Sequence, residues 1–486
     1  MSPALHAALA SWAIPWVPTV GILLTALTYL RGWYLLRCAG FPLIPSWRLG
    51  AFLSGLAVLW IALAGPMDVF NAWLLTAHMT QHMMLMMIAP PLILLGDPLV
   101  PLVRGLPVFA AREFAGPFLN WRPAQWVGRT LTHPVVALIL MGIVMLGWHV
   151  PDLYELAVRS PGWHQVEHAC FFLTSLIFWW PVVQPWPSHS HWPRWAMVPY
   201  LVVADLQNTV LSAALIFADR ILYPSYIDAP RVFGLAARED QAAAGAIMWA
   251  VGSAAFLLPA MLIAIQCLAR RAPLSLAPRL AKRTPPLAGA WHRLTASLGI
   301  PGDTAEAIAF IAVFVVGGAA FTAALAFSGS DDDALVLRGK QPVGNALVSV
   351  YAPEELTVGP NDVSILVQNE DGDAVLDAQV TVSATTSGQE NEVKGTDSDS
   401  ENKLMQAASV DLPSAGAWLL NVNVQNKSDS GSIAIPVQVV AHQPGLDDWW
   451  PYLVFPAFSL LLLVIYLRRA HRRRSFARQR EVISAL

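Results

Sequence analysis

Charge is what this sequence has least of. Of its 486 residues only 13% are Asp, Glu, Lys or Arg, against 55% hydrophobic, and the mean hydropathy is +0.50. Soluble domains carry about 25% charged residues, so an ordinary soluble enzyme, a disordered chain and a collagen-like fibre are all excluded. Cysteine is sparse as well. Cys38, Cys170 and Cys267 stand apart with no C-x-x-C pair, which argues against a disulfide framework and against a cysteine-based metal chaperone. There is no Walker loop and no Ser/His/Asp arrangement, so the expectation is a non-enzymatic protein with no nucleic-acid partner.

What charge there is lies unevenly. Residues 329–448 hold 19 acids and 5 bases, a local charge of −14, and the rest of the chain carries +11. This suggests a membrane-embedded body and an acidic aqueous domain. A bilayer crossing takes about twenty apolar residues, and nine such stretches occur: 13–33, 49–66, 70–95, 131–150, 163–183, 196–217, 242–266, 305–327 and 449–467. The first base is Arg31, so the first run has no basic n-region and reads as a retained span. An extracytoplasmic N-terminus and a cytoplasmic C-terminus place 21 of the 30 Lys and Arg residues inside, as the positive-inside rule asks of a bacterial inner (plasma) membrane protein.

The expected fold is thus an all-α polytopic membrane protein with an inserted extracytoplasmic β-sandwich. The parts are a seven-span core (1–267), a basic cytoplasmic loop (268–304), an eighth span (305–327), a β domain (340–442), a ninth span (449–467) and a basic tail (468–486). The tail reads as an anchor beside membrane lipid. Within the β domain, runs at 346–352, 362–369, 378–386, 403–412, 417–425 and 432–440 alternate between turn signals, a spacing that suggests an immunoglobulin-like sandwich. Asn391–Asn402 reads as a polar loop.

Ionisable groups inside apolar helices are costly and mark function. Five histidines gather at the outer end of the core: His78 and His82 on span three, His149 closing span four, and His164 and His168 opening span five. The i, i+4 pairs put two imidazoles on one helix face, the spacing by which a helix offers two nitrogens to one metal. Met86 continues the line of His78 and His82, and Met145 and Met141 continue that of His149. Imidazole with thioether favours copper, Cu(I) above all. Packing is the competing reading for the methionines. Asp205 and Asn208 lie mid-span on span six. Glu167 sits about 100° around the helix from His168, as an outer partner or an interfacial charge. His189 and His191 read as ordinary loop residues.

These residues resemble a known family. HMTQHMMLMMIAPPLILLGDP (78–98), GWHVPDLYELAV (147–158), HQVEHACFF (164–172), FWWPVV (178–183) and EDQAAAGAIMW (239–249) are similar to motifs of the CtaG membrane family of cytochrome c oxidase assembly factors. The resemblance covers roughly residues 13–266. It implies a copper-handling protein that assists maturation and metallation of a haem–copper oxidase, with oxidase subunits or periplasmic copper chaperones as partners. It carries over His78, His82, His149, His164, His168, Asp240, Gln241 and Met248 as the matching positions. The β domain resembles YtkA-like and CopC-like modules. It offers only Met405 and His442 as soft or imidazole ligands, so a docking surface is the better reading. Two alternatives stay open: a CopD-like copper transporter, for which the His-to-Met lines would form a relay, and a haem or quinone redox protein with bis-histidine ligation between facing helices.

Overall fold

The computed structural model describes residues 3–38, 45–107, 111, 121–185, 192–227, 229–231, 233, 235–269, 335–353, 355–370, 372–386, 389–394, 400–425 and 430–441. The expected eighth and ninth spans, the loop beyond Ala269, the basic tail, His189, His191 and His442 lie outside the described residues.

Seven helices carry the apolar runs: α1 Trp16–Cys38, α2 Ser46–Ala64, α3 Leu75–Leu95, α4 Pro134–Trp148, α5 Pro161–Val183, α6 Met197–Phe217 and α7 Ala237–Ala269. Six pass on length and hydropathy alone. The seventh, α4, has 15 residues and forms a bent pair with the preceding helix, at 72°. That preceding helix, Arg122–Leu131, carries bases at both ends, and Pro134 at the first position of α4 starts a new helix where its missing N–H is harmless.

Lipid gives no hydrophobic drive between helices, so close approach and interhelical hydrogen bonds hold the bundle. Gly55 of α2 shows the first: an added Cβ would stand 2.8 Å from the backbone nitrogen of Ile93 in α3. The second is supplied by the Tyr29 hydroxyl, which donates to Gly96 O at 2.6 Å, by Tyr200, which donates to Phe178 O at 2.9 Å, and by Asn208 Nδ2, which donates to Met248 O at 3.1 Å. Arg48 and Asp97 pair between the start of α2 and the end of α3.

Helix α3 is composite. Between α-helical halves, Met84–Ile88 form a π turn, closed by the Ala89 N–H donating to Met84 O. The cause is in the sequence: Pro90 and Pro91 have no N–H, so the carbonyls of Met86 and Met87 lose their i+4 donors. Trp179 of α5 repairs the first loss, its indole N–H donating to Met86 O at 3.0 Å.

The β domain has two sheets, ordered β1-β2-β4-β7 and β3-β9-β8-β5-β6. The strands are β1 Leu335–Val343, β2 Ala346–Pro353, β3 Leu356–Thr357, β4 Gly359–Gln368, β5 Gln379–Thr386, β6 Gln389–Lys394, β7 Gln406–Leu412, β8 Gly416–Gln425 and β9 Ser430–Val440. Both sheets feed one core, in which Val350, Ile365 and Val410 meet Val382, Leu420 and Ile435. Each such side chain contributes about 1.5–3 kcal/mol on leaving water. Three strands depart from the sequence expectation. The polar loop expected from Asn391 is in part β6, β1 begins at Leu335, ahead of the expected boundary at 340, and the two-residue β3 falls between the expected runs. All three are sheet edges, where charge and proline are tolerated and apolar alternation is not required.

The β domain rests on the end of the helical body. Tyr351, Leu366, Leu404 and Met405 form one apolar cluster with Ala8, Phe70 and Ala77. The Trp73 and Tyr351 rings lie 6.0 Å apart. The Lys403 N–H donates to Ser11 Oγ at 2.9 Å, and Gln368 Nε2 donates to Arg231 O at 3.1 Å. Met405, the one thioether considered as a ligand in this domain, is used in that contact and is buried. Ala77 immediately precedes His78, so the sandwich and the histidines share one end of the bundle.

Candidate metal centre

The first turn of α3 sets the site. Its free N–H groups are satisfied by Asp240 of α7, whose carboxylate accepts from Leu75 N at 2.7 Å, from Thr76 N at 3.1 Å and from the Thr76 hydroxyl at 2.5 Å. Gln241 beside it accepts from Leu222 N at 2.8 Å, and its amide faces Leu215 O and Arg220 O at 3.2 and 3.3 Å. These two residues shape the rim: one anchors the helix that bears His78 and His82, the other the connection after α6.

From α3, His78 and His82 face His164 and His168 of α5. The rings form a closed set, with centroids 4.3 Å apart for His78–His82, 5.2 Å for His78–His164, 5.5 Å for His82–His168 and 4.1 Å for His164–His168. His149 caps the C-terminus of α4. Its Nδ1 bonds to Met145 O at 2.7 Å, which leaves Nε2 as the atom available to a ligand. The ring of Phe171 stands against both His82 (4.6 Å) and His149 (6.2 Å). Phe171 therefore lines the set between α3 and α4.

Glu167 is the member that the sequence reading set apart. Its Oε2 lies 3.6 Å from His78 Nε2 and 3.8 Å from His82 Nε2. Judged by its neighbour His168 it points away, but it is i+3 from His164, and that spacing puts both on one face. One ligand atom from each of His78, His82, His164 and Glu167 lies within 4.8 Å of the others.

The polar accounting is one-sided. Nε2 of all five histidines and both carboxylate oxygens of Glu167 are buried without a hydrogen-bond partner among the described residues. Glu167 and His78 are each 1% exposed. Buried polar groups are nearly always paired, and a buried carboxylate left unpaired costs several kcal/mol. One atom from each of His78, His82, His164 and Glu167 lies where a single ion could pair them.

Tyrosines close one side of the set. The Tyr154 ring lies 5.0 Å from His78 and stacks on Tyr223 at 3.9 Å. Tyr226 donates to Asn71 O at 2.7 Å, so Tyr154 donates to Tyr226 across 2.9 Å. Burial pushes both phenols well above their ordinary range, so they stay neutral donors.

The methionines are buried in the same apolar core as Phe171 and Trp179. Met86 and Met145 follow the histidines one turn deeper. Met141 has its sulfur beside the Thr174 and Ser175 hydroxyls, at 3.9 and 3.7 Å. Met248 gives its backbone oxygen to Asn208. Asp205 accepts from the Ser253 hydroxyl at 2.7 Å.

Fold and site together define a multi-span helical membrane protein with a buried imidazole–carboxylate cluster beneath an inserted β domain. The chain belongs to the family of cytochrome c oxidase caa3 assembly factors (Caa3_CtaG), whose profile matches residues 27–270. It is similar to the uncharacterized protein ML1998 of Mycobacterium leprae, 26% identical over 246 residues, which are 50% of this chain and 36% of that protein. It is also similar to the uncharacterized proteins Mb0105 of Mycobacterium bovis and MT0111 of Mycobacterium tuberculosis, each 28% identical over 185 residues, 36% of this chain and 27% of theirs. The chain therefore spans between about a quarter and just over a third of the length of these curated relatives. No solved structure matches it.

Proposed function

We propose that this assembly factor binds copper through the histidine cluster at the extracytoplasmic face of the bacterial plasma membrane and supports metallation of a haem–copper oxidase. Membership of the family supports the oxidase as beneficiary. The observation that carries the copper reading is the set of five buried Nε2 atoms with no hydrogen-bond partner among the described residues, gathered from three helices. Imidazole is a good ligand for copper, and the thioethers of Met86 and Met145 lie next along the same helix faces. The protein acts without a catalytic step: it holds the ion and passes it to an oxidase subunit or takes it from a periplasmic chaperone. The imidazoles of α3 and α5 touch one another directly, a spacing suited to an ion rather than to a porphyrin between the helices.

The test is copper content in purified protein beside oxidase metallation in cells. Wild-type protein should carry copper and the His78→Ala/His82→Ala variant should not, with oxidase copper falling in cells that make the variant. Equal copper in both proteins and a normally metallated oxidase would overturn the reading.

A further inference from the structure

We propose that Glu167 is a direct ligand, and that the ion which the centre accepts is divalent, copper(II) in the first instance, held by His78, His82, His164 and the Glu167 carboxylate. This rests on the reading of the cluster as a metal site and changes which ion state it is built for.

The argument begins with spacing. A hydrogen bond from an imidazole to a carboxylate closes to about 2.7–2.9 Å. The two His–Glu separations here are 3.6 and 3.8 Å, too long for that. Ligand atoms about 2.0–2.1 Å from a shared ion stand roughly 2.8–3.0 Å apart when cis and roughly 4.0–4.2 Å apart when trans in the square-planar or tetragonal arrangement that copper(II) prefers. The observed distances fall between these two edges, and the 4.8 Å span of the four-atom set closes to them by small side-chain rotations.

Charge points the same way. Among the described residues, the four atoms are contributed by three imidazoles and one carboxylate, and no Lys or Arg is paired with Glu167. A cation between them supplies the missing partner. The donor set then selects the ion. Copper(I) is served by thioether and imidazole at low coordination number, while a carboxylate oxygen is a hard donor that favours divalent ions. Imidazole with thioether favours Cu(I); placing Glu167 in the set moves the preference to the oxidised ion.

The test uses the full chain purified in detergent, titrated separately with copper(II) and with copper(I) against a chromophoric competitor. The copper(II) form is also read by electron paramagnetic resonance. Glu167→Gln keeps size and hydrogen-bonding capacity. It should weaken copper(II) by at least about tenfold and alter the hyperfine pattern, with copper(I) affinity changed by less than about threefold. Glu167→Asp, with its carboxylate drawn back by one methylene, should fall between. If Glu167→Gln binds copper(II) as the wild type does, with the same spectrum, the carboxylate is not a ligand while the histidine centre stands. Equal weakening of both ions with a lowered melting temperature would make Glu167 a packing residue and overturn the proposal. If wild-type protein binds neither ion, the centre itself fails.

Discussion

Asp240 closes the first turn of the helix that carries His78: its carboxylate accepts from the backbone of Leu75 at 2.7 Å and of Thr76 at 3.1 Å. A carboxylate here pairs orphan donors and opposes the positive end of the helix dipole. Asp240→Ala should therefore cost about 1–2 kcal/mol and loosen His78 relative to α5. Asp240→Asn keeps one acceptor and should recover part of the loss. Thermal unfolding in detergent, measured beside copper content, checks both; an unshifted midpoint for Asp240→Ala would remove the capping role.

The Trp179 indole and Pro90 are coupled through one carbonyl. Trp179→Phe leaves Met86 O buried and unpaired, which should cost about 1–3 kcal/mol. Pro90→Ala restores an N–H at the position that an α-helix would use. The double variant should then be less destabilised than the two single effects add to. A double-mutant cycle on unfolding midpoints reads this, and strict additivity would disconnect the two residues.

A metal filling the centre should stabilise the folded state by mass action. With free copper at 100 times its Kd the gain is about 2.7 kcal/mol. The melting temperature should rise on loading and fall again with a chelator, and neither change should occur in His78→Ala/His82→Ala. A similar rise in that variant would place the copper elsewhere.

The seat of the β domain can be tested by cross-linking. Lys403 N and Ser11 Oγ are 2.9 Å apart, so Ser11→Cys/Lys403→Cys should form a disulfide under mild oxidation. Adding Met405→Asp puts a charge into the apolar contact with Ala8 and Phe70 and should lower the yield severalfold. No disulfide in the parent pair would separate the domain from the helices.

Most of the architecture is legible in the residues because its causes are local. Apolar runs gave all of α1–α7, and alternation located six strands. β6, with sequence QENEVK, was hidden because an edge strand obtains its order from its neighbour, here the register Val382–Val393, and not from its own apolar residues. Helix spacing and depth were enough to gather the histidines. Glu167 is harder to read, since its adjacency to His168 turns it about 100° away while its i+3 relation to His164 brings both to one face. The π turn could be suspected from Pro90-Pro91, but its completion by Trp179 joins residues 93 positions apart, which no local pattern reports.

That turn has a consequence for how α3 tolerates change in length. One extra residue in a single turn rotates everything after it by about 100°. The stretch that meets α5 with His78 and His82 and the stretch that meets Gly55 of α2 with Ala89 and Ile93 are thus in different angular phase. Deleting one residue between Met84 and Ile88 would straighten the helix and turn one of these two stretches away from its neighbour. A single continuous α-helix could not face both partners at once with this sequence.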